Sequence, residues 1–171
     1  TAVGNATHVA RTTGHTPPEA PVPAGHIAIH LGTTDGYLGR ILLTDQVRNN
    51  APATLHALHH LGVRSVAMLT GDAVVTARHI ADQIGIDDVR AGLLPADKVA
   101  HVASLPVRPV AMVGDGVNDA PVLAAADVGI AMGAKGATAA SESADVVIML
   151  DDLSRVATSI AIARRTVRIA L

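Results

Sequence analysis

The sequence predicts an α/β fold in which a parallel sheet is flanked by helices. Three observations carry this. Short apolar runs alternate with amphipathic stretches of helical length from residue 38 onward, the pattern of strands joined by crossover helices. Apolar residues make up 49% of the 171, yet Tyr37 is the only aromatic, so the core is Ala, Val, Leu and Ile, the composition of strands buried on both faces. Finally, the apolar run at 110–113 leads straight into Gly114-Asp115-Gly116-Val117-Asn118-Asp119-Ala120-Pro121, and in open α/β sheets chemistry gathers at such carboxyl ends of strands.

Composition excludes several function classes. The net charge of −2 and the single aromatic offer neither a basic footprint nor stacking platforms, so no nucleic-acid partner is expected. Without cysteine there is no disulfide framework and no thiol chemistry. No apolar run approaches a membrane span, and no signal peptide is visible. Thr1 in place of Met, and a helical pattern still running at Leu171, read as a piece of a longer polypeptide.

Residues 1–25 carry little pattern; 13–23 are rich in proline and read as loop, linker or ragged extended structure. Strands are expected at 26–31 and 37–44 across a turn at 33–36. Asp45 is a plausible helix cap, with Pro52 in the first turn and Leu55, Leu58 and Leu61 at helical spacing before Gly62. His56, His59 and His60 on that helix make a metal site conceivable, but no carboxylate or Cys joins them, and an exposed polar face is the preferred reading. A strand at 63–69 ends in Thr70-Gly71-Asp72, followed by a helix at 73–84 whose free N-terminal amides suit a phosphoryl oxygen. The same segment also reads as an ordinary strand-to-helix turn. A turn and short strand at 85–91 precede a helix opened by Pro95, with Val99, Val102, Ala103 and Leu105 toward the core. Lys98 sits in its first turn, against the helix dipole, which hints at another task. Further strands are expected at 109–113, 127–132 and 144–150, with helices at 120–126 and 137–143. The last helix, opened by 151–154, carries an apolar stripe of Val156, Ile160, Ala163 and Val167 beside Arg155, Arg164, Arg165 and Arg168.

In the central loop, Gly114 and Gly116 are expected to allow a tight turn with positive φ. Asp115 lies at the strand tip and Asp119 at the mouth of the next helix; two carboxylates so close call for a hard cation, most simply Mg²⁺ on oxygen ligands. Taken singly, Asp119 also fits a helix N-cap and Asp115 a turn residue.

The string 114–121 resembles the signature of the P-type ATPase phosphorylation domain, within the haloacid dehalogenase (HAD)-like superfamily. Met68-Leu69-Thr70-Gly71-Asp72 resembles that domain's Thr-Gly-Asp motif, and Leu93-Leu94-Pro95-Ala96-Asp97-Lys98 its Pro-x-x-Lys motif. Asp45-Gln46-Val47-Arg48 resembles the Asp-x-x-Arg element at the hinge. Ala73 departs from the Asn that many members carry. The resemblance spans residues 38–171, and within the family 91–98 and 133–145 look most like the heavy-metal branch (P1B-like).

The resemblance implies a Rossmann-like HAD fold at 38–150 lacking its nucleophile segment. It implies that 1–37 is the tail of a nucleotide-binding domain and that 151–171 is a stalk helix leading toward a membrane span. As catalytic residues it implies Thr70, Gly71, Asp72, Lys98 and Asn118; Thr70, Asp72 and Lys98 would contact nucleotide or phosphoryl group, and Asp115 and Asp119 would hold Mg²⁺. ATP is the implied cosubstrate, and Zn²⁺, Cd²⁺, Co²⁺ or Cu⁺ the implied cargo. In the intact protein this segment would face the cytoplasm at the cell membrane. The nucleophile of the family's Asp-Lys-Thr-Gly-Thr motif does not occur in the sequence, so the chain alone is expected to be inactive. A soluble HAD-like phosphatase and a non-catalytic HAD-like module remain the alternatives.

Overall fold

The computed structural model describes residues 1–23, 25–44, 47–114, 117–133 and 139–170. The chain divides into two compact units, Thr1–Gln46 and Val47–Leu171.

The first unit holds β1 (Ala2–Gly4), α1 (Ala6–Thr13), β2 (His26–Thr33) and β3 (Gly36–Thr44), with the strands antiparallel in the order β1-β2-β3. Helix α1 forms in the stretch before the proline-rich segment, where the sequence carries little pattern. Its start and stop signals are local: the Asn5 side chain accepts from the His8 amide at 2.8 Å, and Gly14 ends the helix at φ 78°. It is eight residues long and only Val9 is buried, so the apolar signal it leaves in the sequence is short. Gly32 makes room for it, because a Cβ there would lie 2.9 Å from Val9 Cγ1. Strand β3 pairs with β2 from Gly36 to Thr44. The unit boundary therefore falls after residue 46, later than the 37/38 break expected from the sequence.

The second unit alternates strands and helices: α2 (Ala51–His60), β4 (Ala67–Leu69), α3 (Val74–Ile84), β5 (Asp88–Arg90), α4 (Pro95–Ser104), β6 (Ala111–Gly114), a 3₁₀ turn at Val117–Asp119, α5 (Ala120–Ala125), β7 (Val128–Met132), α6 (Ala139–Ser143), β8 (Val146–Ile148) and α7 (Ser154–Ala170). All its strand pairs are parallel, as the alternation predicts. They form two sheets, β4-β5 and β6-β7-β8; among the described residues β4 and β6 each pair along one edge only. Strand β4 is shorter than expected because the chain is still closing α2: the Gly62 amide bonds His59 O and the Val63 amide bonds Leu58 O. The cap of α2 is Asn50, which is itself bonded to Asp152 at 2.7 Å; Asp45 lies outside the described residues. Arg48 reaches Asp151 at 2.6 Å, a second tie between the segment before α2 and that before α7.

Strand β7 organises the core by alternation. Ile130 and Met132 point to one face, where they meet Ile148 and Val156 with Leu58, Leu153 and Ile160 around them. Ala131 points to the other, against Leu123 of α5. The stripe on α7 is therefore buried only in its first half; Val156 is covered and Ile160 half-buried, whereas Ala163 and Val167 are exposed because packing partners stop there. Arg164 donates to the Leu61 carbonyl at the end of α2.

The close seat of α5 on β7 depends on Gly129. A Cβ at that buried position would lie 2.8 Å from the Leu123 carbonyl oxygen and 3.1 Å from its carbon, both backbone atoms. Gly129→Ala is expected to destabilise the second unit by about 1–3 kcal/mol, as overpacking does. Urea unfolding of the chain checks this; an unchanged midpoint contradicts the assignment.

Candidate functional site

Asp119 lies at the end of the 3₁₀ turn that follows β6, and Lys98 in the first turn of α4. Lys98 Nζ donates to Asp119 Oδ1 at 3.0 Å, with the side chains only 18% and 15% exposed. The lysine is thus set against a carboxylate rather than solvated, which accounts for its place at an unfavourable helix end. Asp119 occupies the N-cap position of α5, with Pro121 in the first turn, but its side chain makes no capping bond. The simple-cap alternative is therefore not what this carboxylate does.

Gly114 has another role than the one expected. Its φ is not positive; it is an ordinary residue of β6. What it provides is room: a Cβ there would lie 2.8 Å from Asp119 Cβ and 3.0 Å from Oδ2. Asp115 and Gly116 lie outside the described residues, so the expected Asp115 ligand does too. Asn118 lies beside Asp119 and is exposed.

The Thr70-Gly71-Asp72 turn follows β4. Thr70 Oγ1 donates to Asp72 Oδ2 at 2.7 Å and accepts from the Asp72 amide at 3.1 Å. The single hydroxyl proton of Thr70 is thus already placed on Asp72. The turn is fastened to the segment after β5 by Thr70 N to Arg90 O, Gly92 N to Asp72 O and Leu93 N to Thr70 O, at 2.8 to 3.0 Å. Gly71 lies close to that segment as well, since a Cβ would approach Leu93 O to 3.3 Å. Ala73 caps α3 with no side-chain bond, leaving that helix's first amides without a side-chain acceptor. The same 90–94 segment leads into α4. There Pro95 opens the helix and Asp97 Oδ2 accepts from the Leu94 amide at 2.9 Å. The structure therefore forms two pairs, Thr70–Asp72 and Lys98–Asp119, on loops joined through residues 90–98.

A family profile described as hydrolase, haloacid dehalogenase-like hydrolase, matches residues 3–127. The chain belongs to the haloacid dehalogenase-like hydrolase family. It is 44% identical over 146 residues to the cadmium, zinc and cobalt-transporting ATPase of Bacillus subtilis (strain 168), covering 82% of this chain and 21% of that protein. It is 42% identical over 178 residues to the probable cation-transporting P-type ATPase J of Mycobacterium tuberculosis, covering 98% of this chain and 27% of that protein. Among solved structures, a zinc-transporting PIB-type ATPase in the E2.Pi state superposes with a TM-score of 0.70 at 42% identity, over 84% of this chain and 23% of that one. The chain spans about a fifth of the length of the first of these relatives.

Two features of this HAD-like site escaped the sequence reading. One is the steric role of Gly114, whose only trace in the sequence is a glycine five residues before an aspartate. The other is the clamp at the far end of α4. Arg108 donates to Asp127 Oδ2 at 2.9 Å and to the Val102 and Ala103 carbonyls at 3.2 Å, while the Val110 amide donates to the same Asp127 oxygen at 2.6 Å. The Val110 amide first, and then the Arg108 guanidinium, hold the Asp127 carboxyl below its ordinary pKa.

Gly114→Ala tests the room made for Asp119. The added methyl is expected to push that side chain away and open the Lys98–Asp119 contact beyond 4 Å, the outer limit of an ion pair. A crystal structure of the variant reads this directly, and a pair still closed at its present distance contradicts the steric role.

Proposed function

We propose that this chain is part of an ATP-driven heavy-metal cation transporter of the P-type class, and that it supplies the phosphoryl-binding part of an aspartyl-phosphate cycle. The observation that carries this reading is the Lys98–Asp119 pair at the end of β6. It is joined through residues 90–98 to the Thr70-Gly71 turn. Phosphoryl transfer is mostly positioning and charge stabilisation. Here one cation, one hydroxyl, one backbone amide and a carboxylate stand on loops that are held to one another.

The donor set suits Mg²⁺: Asp119 offers carboxylate oxygens beside the space left by Gly114, and Asp115 would join it. Bound there, Mg²⁺ would neutralise charge on phosphoryl oxygens. In this reading Lys98 draws a phosphoryl oxygen by charge, and the Gly71 amide and Thr70 hydroxyl donate to others. Asp72 holds the hydroxyl until the substrate takes its proton. Asn118 supplies a polar contact from the exposed side. The nucleophile is an aspartate of an Asp-Lys-Thr-Gly-Thr segment outside this sequence. The sheet order is compatible with this, because among the described residues β4 and β6 each pair along one edge only, and the loops that follow them carry Thr70 and Asp119.

The first unit then belongs to the domain that binds ATP, and α7 is the stalk, with Arg164, Arg165 and Arg168 toward the cytoplasmic face of the cell membrane. Among the described residues no helix is long and apolar enough to cross a membrane. The relatives' names favour Zn²⁺, Cd²⁺ or Co²⁺ as cargo, with Cu⁺ the remaining candidate. The choice rests with membrane residues.

ATP-dependent uptake of these four cations into inside-out vesicles from cells making the full-length protein tests the proposal. Uptake of at least one is expected, and Lys98→Ala should lower its rate by about 10²-fold, the loss typical of one preorganised charge-stabilising group. Uptake of none, or a Lys98→Ala variant at full rate, would leave the soluble phosphatase or non-catalytic reading in its place.

A further inference from the structure

The three histidines of α2 are not equivalent. His59 reaches forward to the segment after the helix, with Nδ1 3.0 Å from the Val63 carbonyl oxygen. His56 and His60, one helical turn apart, bring their Nε2 atoms to 3.2 Å from each other, with ring centroids 4.4 Å apart and planes at 71°. Both side chains are exposed. We infer that His56 and His60 form a two-imidazole chelate for a transition-metal dication on the outer face of α2.

The geometry is that of a shared ligand pair. With metal–nitrogen bonds of about 2.0–2.1 Å, two nitrogens at this separation subtend an angle of about 100° at the ion, between a right angle and the tetrahedral value. Without an ion, two neutral imidazoles meeting through Nε2 satisfy each other with one proton, and both rings must take different tautomers. An ion accepts both lone pairs, with each ring carrying its proton on Nδ1. The two nitrogens already stand at the separation chelation needs, and small ring rotations would turn both lone pairs onto one ion, so little side-chain freedom remains to be lost on binding.

The chemistry of the pair sets the ion. Imidazole nitrogen suits Zn²⁺, Co²⁺, Ni²⁺ and Cu²⁺, whereas Mg²⁺ prefers oxygen. Among the described residues no third His, Asp or Glu joins the pair to make a larger cluster, so the remaining coordination positions go to water. This keeps the chelate separate in ion preference from the carboxylates at the end of β6. Both rings stand in solvent, so binding there displaces no packed side chain. Its effect is local: the ion bridges the last turn of α2, next to Leu61, whose carbonyl accepts from Arg164 of α7. Metal bound to the folded helix and not to the unfolded chain raises stability by mass action. The inference does not rest on the proposed transport function.

Titration of the 171-residue chain with Ni²⁺ and with Zn²⁺ at neutral pH, followed by calorimetry and by the metal-induced rise in Tm, tests it. His56→Ala and His60→Ala are each expected to weaken the tightest site by about 10²-fold, the low end of what linking two ligands supplies, and to remove the rise in Tm. His59→Ala is expected to retain both. Equal binding by the wild-type chain and His60→Ala, or loss on His59→Ala to the same degree, overturns the chelate.

Discussion

Helix α4 is held at both ends by ion pairs, and the arrangement of the second unit depends on that. At its start Lys98 meets Asp119 after β6; just beyond its end Arg108 meets Asp127 before β7. The two pairs differ in kind. Arg108 and Asp127 are well exposed, and solvent screening leaves a pair of that sort little energy of its own. Its value lies in geometry, because the guanidinium also takes the last carbonyls of α4 and the carboxylate takes the Val110 amide. Lys98 and Asp119 are largely covered, so removing one partner leaves a poorly solvated charge, toward the 3–5 kcal/mol cost of breaking a buried pair. In the proposed reaction that same charge is what a phosphoryl group or a divalent cation would engage. The pair thus stores a cation and an anion beside each other, each neutralised until a ligand competes for it.

Two glycines set the distances that this needs. Gly129 lets α5 sit directly on β7, and Gly114 lets Asp119 fold back over the end of β6. Both act by having no side chain while keeping ordinary backbone angles. Strand β7, which carries Gly129 and pairs with β6, presents small residues to α5 and large ones to α7 and α2. The position of the carboxylate therefore follows from packing on one face of one strand.

Much of this was legible in the sequence because the signals are local. Strand-then-helix alternation marks the α/β class, and Pro95, Pro121 and Gly85 punctuate helices where they fall in the structure. The Gly-Asp-Gly-Val-Asn-Asp string, the Thr-Gly-Asp turn and Lys98 each announce themselves by residue type. What was not legible depends on contacts distant in sequence. The pairing of β3 with β2 moves the unit boundary, and α1 is an eight-residue helix with one buried residue, too short for its pattern to stand out. The choice of Thr70's proton for Asp72, the turning away of His59 from His56 and His60, and the steric work of Gly114 are settled by which atoms meet in three dimensions.

The central claim is that this part of the chain serves an aspartyl phosphate. Acid-quenched full-length protein, exposed briefly to γ-labelled ATP with a transported cation, measures that directly. The account predicts an acid-stable label that hydroxylamine releases, present in the wild type and lost in Asp119→Ala. A protein that hydrolyses ATP without ever carrying label, or a label that hydroxylamine leaves in place, would contradict it.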